Sequence, residues 1–275
     1  MRYEVHLDHH KFYRNGLIVL YFKNGSGVFV SNPNQIKVKS GHFVILNPNE
    51  GLEYINDKHE YLDVLSFDIT NKLISECNYY LQQEALKLLD NPFGEIQEDS
   101  FFLENSLNAQ YYSTGILLQQ IYNLSGQRDF ELTSADELTI ELLQSLYREQ
   151  KIGYKITDKI EAKKLSTKEE TLKRLLVAYE YIHDNLGEAI SIDELSKTSS
   201  LSKFHLFDSF KKAFGRTPHQ YMNRIKVAKA KELVQNGNLS VSEVSDSLGF
   251  SDLSVFSKVF KKAYGRPPSH FQHLN

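Results

Sequence analysis

FKKAFGRTP occupies Phe210–Pro218, and FKKAYGRPP occupies Phe260–Pro268. The similarity extends upstream, where the stretch that begins at Ile192 matches the stretch that begins at Val241 at a spacing of 49 residues. In each copy a Ser is followed by a Glu three residues later, which predicts a capped short helix. A tight turn and a longer helix ending at Gly215 or Gly265 complete each copy. The sequence therefore predicts two helix-turn-helix units, over about 191–214 and 240–264.

The segment between the two copies predicts a single long helix. Thr217 followed by Pro218 is typical of a helix start, and Gly237 predicts its end. A helix over about 218–236 is roughly 28 Å long, against about 34 Å between successive major grooves on one side of DNA. We expect one face of this helix to be apolar, formed by Tyr221, Ile225, Ala228 and Leu233. We expect the opposite face to be exposed to solvent, formed by Arg224, Lys226, Lys229 and Lys231.

Charge is unevenly distributed along the chain. Residues 1–167 carry 16 Lys and Arg against 23 Asp and Glu, whereas residues 168–275 carry 16 against 12. This asymmetry favours a polyanionic partner for the C-terminal part only. The single cysteine, Cys77, the absence of a secretory signal and the absence of a long apolar run predict a cytoplasmic protein that is not inserted in a membrane.

The N-terminal part has a different pattern. Short segments rich in Val, Ile, Tyr and Phe, separated by turns, predict strands over about 16–70 in a small barrel or sandwich. Helices are predicted near 71–90, 101–124 and 134–150. In the last of these, Leu138, Leu142, Leu143 and Leu146 share one face, which predicts a core stripe or a dimer seam. Residues 151–167 have no clear period and are the predicted linker, and Thr167–Glu170 predicts a capping box that starts the next helix.

The paired units, the Gly249-Phe250 turn and the run SDLSVFSKVFKKAYG resemble the DNA-binding domain of the AraC/XylS family of bacterial transcription regulators, over about 168–275. The N-terminal region, 1–150, resembles the cupin-like sensing or dimerisation domain of that family. The implied fold class is α+β, with a cupin-like barrel and appended helices before an all-α domain. Where the family often has Ala in the second unit, this chain has Ser245.

The resemblance implies a set of DNA-binding residues. The candidates for base contacts are Lys203, Phe204, Phe207, Asp208, Leu253, Ser254, Ser257 and Lys258. The candidates for phosphate contacts are Lys211, Lys212, Arg216, Lys261, Lys262 and Arg266. For Phe204 and Phe207, burial in the core is the alternative. For Asp208, the alternatives to accepting from a cytosine amino group are repulsion by phosphate and a bond to a neighbouring residue.

The expected function is sequence-specific transcription regulation, without cofactor, metal or catalytic residues. The expected partners are double-stranded promoter DNA, a small organic effector, RNA polymerase and a second copy of the chain through the N-terminal region. Aromatic residues such as Tyr21, Phe22, Phe29, Phe43 and Tyr54 suit an organic effector. Two alternatives are a metal-dependent cupin enzyme, for which His6, His9, His10, His42 and His59 are the available imidazoles, and a protein-interaction adaptor.

Overall fold

The computed structural model describes residues 1–13, 16–31, 34–47, 50–56, 58–82, 102–126 and 135–272. The chain forms two compact units, Met1–Lys155 and Ile156–Asn275. The fold class is α+β, with the sheets in the first unit and only helices in the second.

The described strands of the first unit form two antiparallel sheets. Their bounds are β1 Arg2–His6, β2 His9–Tyr13, β3 Gly16–Asn24, β4 Gly27–Ser31, β5 Asn34–Val38, β6 His42–Leu46, β7 Glu50–Ile55, β8 Tyr61–Thr70 and β9 Asn105–Asn108. One sheet has the order β1-β8-β3-β6-β9 and the other β2-β7-β4-β5. Within the described residues the sheets do not close into a barrel, so the barrel expected from the sequence is replaced by two open sheets.

The central strands of the five-stranded sheet are buried on both faces, whereas its edge strand β1 is exposed. In β3, the apolar run from Gly16 to Phe22 is buried throughout, as expected for a central strand covered on two sides. One face contributes Ile18, Leu20 and Phe22 to a core shared with the four-stranded sheet. The opposite face contributes Leu17, Val19 and Tyr21 to a second core, which the helices complete.

The helices of the first unit are α1 Asn71–Gln82, α2 Ser113–Leu124 and α3 Ala135–Thr157. Leu142, Leu143 and Leu146 of α3 are fully buried in the second core. The leucine stripe is thus core within this unit, and the interpretation as an exposed dimer seam is wrong.

Three predicted boundaries differ in the first unit. The helix predicted from 101 begins only at Ser113, because residues 105–108 pair with β6 as an edge strand. The predicted linker is partly helical, since α3 continues to Thr157 and the next helix begins at Leu165. Residues 151–157 contain no regular apolar stripe, so periodicity did not reveal this end of the helix. Of the helix predicted over 71–90, residues 83–90 lie outside the described residues.

The second unit contains α4 Leu165–Asp184, α5 Ile192–Ser199, α6 Lys203–Phe214, α7 Pro218–Asn236, α8 Val241–Ser247, α9 Leu253–Tyr264 and a short 3₁₀ turn, Pro268–His270. The predicted capping boxes at Ser191 and Ser240 and the predicted N-cap at Thr217 are confirmed, and Thr217 also forms a capping box with Gln220. The capping box at Thr167 is wrong, because α4 starts two residues earlier and Lys168 N already donates to Lys164 O within its first turn.

The buried face of α7 also differs from the prediction. Met222, Val227, Ala230 and Val234 are buried, and Ala228 is exposed. Lys226, expected in water, is only 6% exposed. The helix packs against elements of both helix-turn-helix units, so its buried surface is not the single stripe that periodicity predicts.

Candidate nucleic-acid interface

The first recognition helix, α6, separates its residues cleanly between core and solvent. Ser202 accepts a hydrogen bond from His205 N at the start of the helix, and Gly215 ends it with φ of 72°. Leu206 and Phe210 are fully buried. Because these residues anchor one face, the opposite face projects outward.

Two of the four phenylalanines of α6, Phe204 and Phe207, lie on that outward face. Phe204 is 84% exposed and Phe207 is 48% exposed, so the alternative that they belong to the core is wrong. Lys203 is exposed too and forms an ion pair with Asp193 of α5. His205 is also exposed, and the sequence reasoning did not single it out. Two large apolar side chains exposed one helical turn apart make this face a candidate contact surface.

Asp208 is engaged by a neighbour on its own helix. Its carboxylate lies 2.8 Å from the Lys212 ammonium, which is also 2.9 Å from the Glu161 carboxylate. Hydrogen bonds to these two carboxylates raise the pKa of Lys212, and the bond to Asp208 has the larger effect. The structure thus favours the alternative in which Asp208 binds a neighbouring residue. It also places Lys212 between two anions instead of leaving it free for phosphate.

The second recognition helix, α9, has the same length as α6 and also ends at a glycine, but its exposed surface is different. Asp252 caps it by accepting from Val255 N at 2.8 Å, and Gly265 ends it with φ of 75°. Phe256 and Phe260 are fully buried. Leu253, Ser254 and Lys258 are exposed, whereas Ser257 is half-buried. Val255, 40% exposed, also lies on this surface and was missed by the sequence reasoning.

The two helices carry opposite charges at equivalent positions. Lys258 follows Asp208 by 50 residues, the same spacing that relates Phe260 to Phe210. Lys258 has no ion pair with any residue that the structure describes, in contrast to the Asp208–Lys212 pair. The second helix therefore presents Lys258 together with Ser254 and the apolar Leu253 and Val255, whereas the first presents Phe204 and Phe207.

The remaining phosphate candidates lie at the C-terminal ends of the recognition helices and are exposed, namely Lys211, Arg216, Lys261, Lys262 and Arg266. A surface cleft of about 560 Å³ lies beside α9, lined by Lys261, Gly265, Arg266, Pro267, Ser269 and His270. Arg266 Nη1 lies 3.1 Å from His270 Nε2 within it. Cations grouped at helix ends are suited to contact a phosphate backbone.

A helix-turn-helix domain family matches residues 195–273. Beyond that domain, the HTH-type transcriptional activator RhaS of Escherichia coli O81 aligns with 94% of this chain and 84% of RhaS at 23% identity. The chain is similar to transcription regulators of the AraC/XylS type, and the match to a domain family lies in its helix-turn-helix part. The Msm operon regulatory protein of Streptococcus mutans serotype c is 26% identical over 66% of this chain, and the alignment spans 65% of that relative. These relatives are described as regulators, not enzymes.

A solved structure of ToxT from Vibrio cholerae, with unsaturated fatty acid bound, aligns with 98% of this chain and 93% of ToxT. Its identity to this chain is 15%, and the TM-score is 0.37.

The aromatic residues expected to suit an effector are all buried in the first unit. Phe22, Phe29 and Tyr54 pack against one another between the two sheets, with ring centroids 5.0–6.2 Å apart. Tyr21 and Phe43 belong to the other core, beside the helices.

The histidines of the first unit are dispersed. His9 lies 3.1 Å from Glu53 and His59 lies 2.8 Å from Asp8, while His42 is buried. Among the residues that the structure describes, no group of three His, Cys, Asp or Glu side chains is arranged to hold a metal ion. The described helices include none with the length and apolarity needed to cross a membrane.

Proposed function

We propose that this chain regulates transcription by reading two DNA boxes of the same orientation, about one helical turn (~10–10.5 bp) apart, with one subunit. The observation that carries the proposal is the pair of 12-residue recognition helices, each anchored by an equivalent buried phenylalanine and joined through a 19-residue helix. The two units have the same order of elements along the chain, a short helix followed by a recognition helix. Tandem units of this kind suit two non-palindromic boxes read side by side better than a palindrome.

The two boxes are read by different chemistry. Lys258, Ser254 and Ser257 of the second helix offer hydrogen-bond donors and acceptors to base edges, and Lys258 suits guanine. Phe204 and Phe207 of the first helix offer apolar contacts that suit thymine methyl groups. Lys211, Arg216, Lys261, Lys262 and Arg266 contact phosphates and position the domain. Asp208 tunes base preference at the first box through its bond to Lys212.

The first unit, in this proposal, is the cupin-like regulatory part of the molecule, acting by binding a small organic effector or by pairing two subunits. RhaS, a transcriptional activator that aligns with both parts of this chain, supports the regulator role of the chain. The regulator role also implies that RNA polymerase is a partner and that the protein acts in the cytoplasm. Differential scanning fluorimetry with a metabolite panel tests effector binding, which should raise the melting temperature. Analytical ultracentrifugation tests whether two subunits pair.

The DNA-reading proposal is tested by selecting sequences from a random duplex pool with the full chain, followed by hydroxyl-radical footprinting. The expected result is two protected patches on one face of the duplex, centred about one turn apart, with unrelated base preferences. Recovery of one continuous palindrome bound by two subunits would contradict the arrangement of two non-palindromic boxes. A pool that shows no enrichment at all would favour the protein-interaction adaptor.

A further inference from the structure

A buried lysine connects three segments of the second unit. Lys226, in the middle of α7, is 6% exposed. Its ammonium donates to the carbonyl oxygen of Glu188 at 2.8 Å and reaches that of Gly249 at 3.4 Å. It also lies 5.8 Å from the centre of the Phe250 ring. Glu188 follows α4, which packs against the first helix-turn-helix, whereas Gly249 and Phe250 form the turn of the second.

The backbones of those two segments are in direct contact at the same place. Gly249 has φ of 62°, and a Cβ on it would lie 2.7 Å from Gly187 O and 2.9 Å from the Glu188 carbonyl carbon. Such approaches are closer than real side chains tolerate, so only glycine fits. The backbone of the turn in the second helix-turn-helix therefore lies directly against the backbone of Gly187 and Glu188, just after the end of α4.

Burying a lysine in this position carries a cost that calls for an explanation. Loss of water lowers the pKa of Lys226, which shows that the surroundings disfavour its charge. Apolar neighbours on α7, such as Val227 and Ala230, would be compatible with a methionine or leucine at this site. The ammonium instead provides directed bonds to carbonyls from two separate segments, and directed bonds define a geometry that apolar packing leaves looser.

We infer that Lys226, together with the glycine contact at Gly249, is a positioning device that fixes the distance and rotation between the two recognition helices. It touches no DNA in this scheme and acts by holding the second unit in register with the first. The inference rests on the proposed reading of two boxes. It goes beyond it by naming the residue that makes the domain intolerant of altered box spacing.

Spacing tolerance is the property to measure. One added or removed base pair rotates the second box by about 34° and shifts it by about 3.4 Å. The full-length protein is titrated with duplexes carrying the selected boxes at the native spacing, one base pair shorter and one base pair longer. We expect the unaltered protein to lose about tenfold or more in affinity at each wrong spacing.

Lys226→Met is the informative variant and Lys229→Met is its matched control, since Lys229 is an exposed residue of the same helix. Lys226→Met should bind the native spacing somewhat more weakly and lose only about threefold or less at the wrong spacings. Lys229→Met should keep the full spacing penalty. A folded Lys226→Met protein, judged by circular dichroism and thermal melting, that retains the full penalty overturns the inference.

A second measurement does not depend on DNA. Spin labels on Thr198→Cys in α5 and Ser242→Cys in α8, both exposed positions, report the distance between the two units in a Cys77→Ser background. One narrow distance distribution is expected for native Lys226, and a broader or displaced one for Lys226→Met and for Gly249→Ala. If Lys226→Met does not fold, Gly249→Ala serves for both measurements. Unchanged distances overturn the inference, whereas absence of specific DNA binding with altered distances contradicts only the proposed function.

Discussion

Two side chains at equivalent positions illustrate how the repeated units diverge at the scale of single residues. Ser196 donates its hydroxyl to the Leu201 carbonyl at 2.5 Å. Ser245, 49 residues later, is fully buried, and its hydroxyl has no hydrogen-bond partner among the described residues. The same residue type therefore satisfies a turn in one unit and leaves a buried polar group unsatisfied in the other.

Removing the two hydroxyls should have opposite effects on stability. Ser245→Ala should raise the free energy of unfolding by about 1 kcal/mol, because it removes an unsatisfied polar atom and improves helix propensity. Ser196→Ala should lower it by about 1 kcal/mol, because the Leu201 carbonyl loses its donor. Urea denaturation of the two variants checks this. Equal destabilisation by both would show that Ser245 gains as much from its hydroxyl as Ser196 does.

Lys258 is the side chain of α9 for which we expect the largest effect on base reading. Lys258→Ala should weaken binding by about 1–3 kcal/mol and relax base preference at one position of one box. Lys262→Ala, one turn further along, should weaken binding to all sequences evenly. Competition binding against a set of single-base box variants distinguishes the two patterns. A uniform loss for Lys258→Ala would show that Lys258 contacts only phosphate.

At the scale of elements, helices α4, α6 and α7 share an aromatic core that includes a histidine. The His183 ring lies 4.6 Å from that of Tyr179, and its Nε2 is 2.8 Å from the Tyr221 hydroxyl. Burial lowers the pKa of His183 to about 4. The imidazole is therefore neutral in the folded state over a range in which an unfolded chain would bind a proton.

The stability contributed by this site should depend on pH in a defined direction. Because the folded pKa lies below the ordinary value of 6.5, the contribution is complete above pH 6.5 and is lost as pH falls toward 4. At pH 5 the loss should be about 1–2 kcal/mol relative to pH 7. Urea denaturation at both pH values should show a smaller drop for His183→Gln than for the unaltered protein. His219→Gln, an exposed change, should leave the drop intact.

An NMR titration of the imidazole signals provides a direct check on the same helix cluster. The His183 resonance should keep its neutral position at pH 6 and reach the midpoint of its titration near pH 4, because burial lowers its pKa. A His183 midpoint close to 6.5 would contradict the assignment of a buried neutral ring.

At the scale of the whole molecule, the exposed positive charge that we propose to face DNA is concentrated in the second helix-turn-helix. Lys212 is held between Asp208 and Glu161, whereas Lys262, its equivalent 50 residues later, has no ion pair with any residue that the structure describes. The two lysines occupy the same position in nearly identical segments, so they form a natural matched pair.

Salt dependence should separate these two lysines. Each phosphate neutralised contributes about −0.9 to the slope of log affinity against log salt concentration. Lys262→Ala should therefore make the slope shallower by about one, and Lys212→Ala should change it by clearly less. Glu161→Gln should steepen it, because Lys212 is then released toward phosphate. Equal effects of the two lysine variants would show that Lys212 leaves its carboxylates on binding.

The sequence by itself determined most of the C-terminal domain. Capping residues at Ser191, Thr217 and Ser240 and terminal glycines at Gly215 and Gly265 act through hydrogen bonds and backbone angles within a few residues. Such signals can be read without knowing the fold. The repeat likewise located the recognition helices and their exposed candidates.

The tertiary structure decided what depends on distant partners. Residues 105–108 form a strand because the edge of β6 is available to them, and Lys226 is buried because two remote carbonyls meet above α7. The engagement of Lys212 by Glu161 likewise joins residues far apart in the chain. Helical and strand periods report only which face of an element is apolar. They carry no information on which distant backbone or charge will meet that face, and that is fixed only by packing.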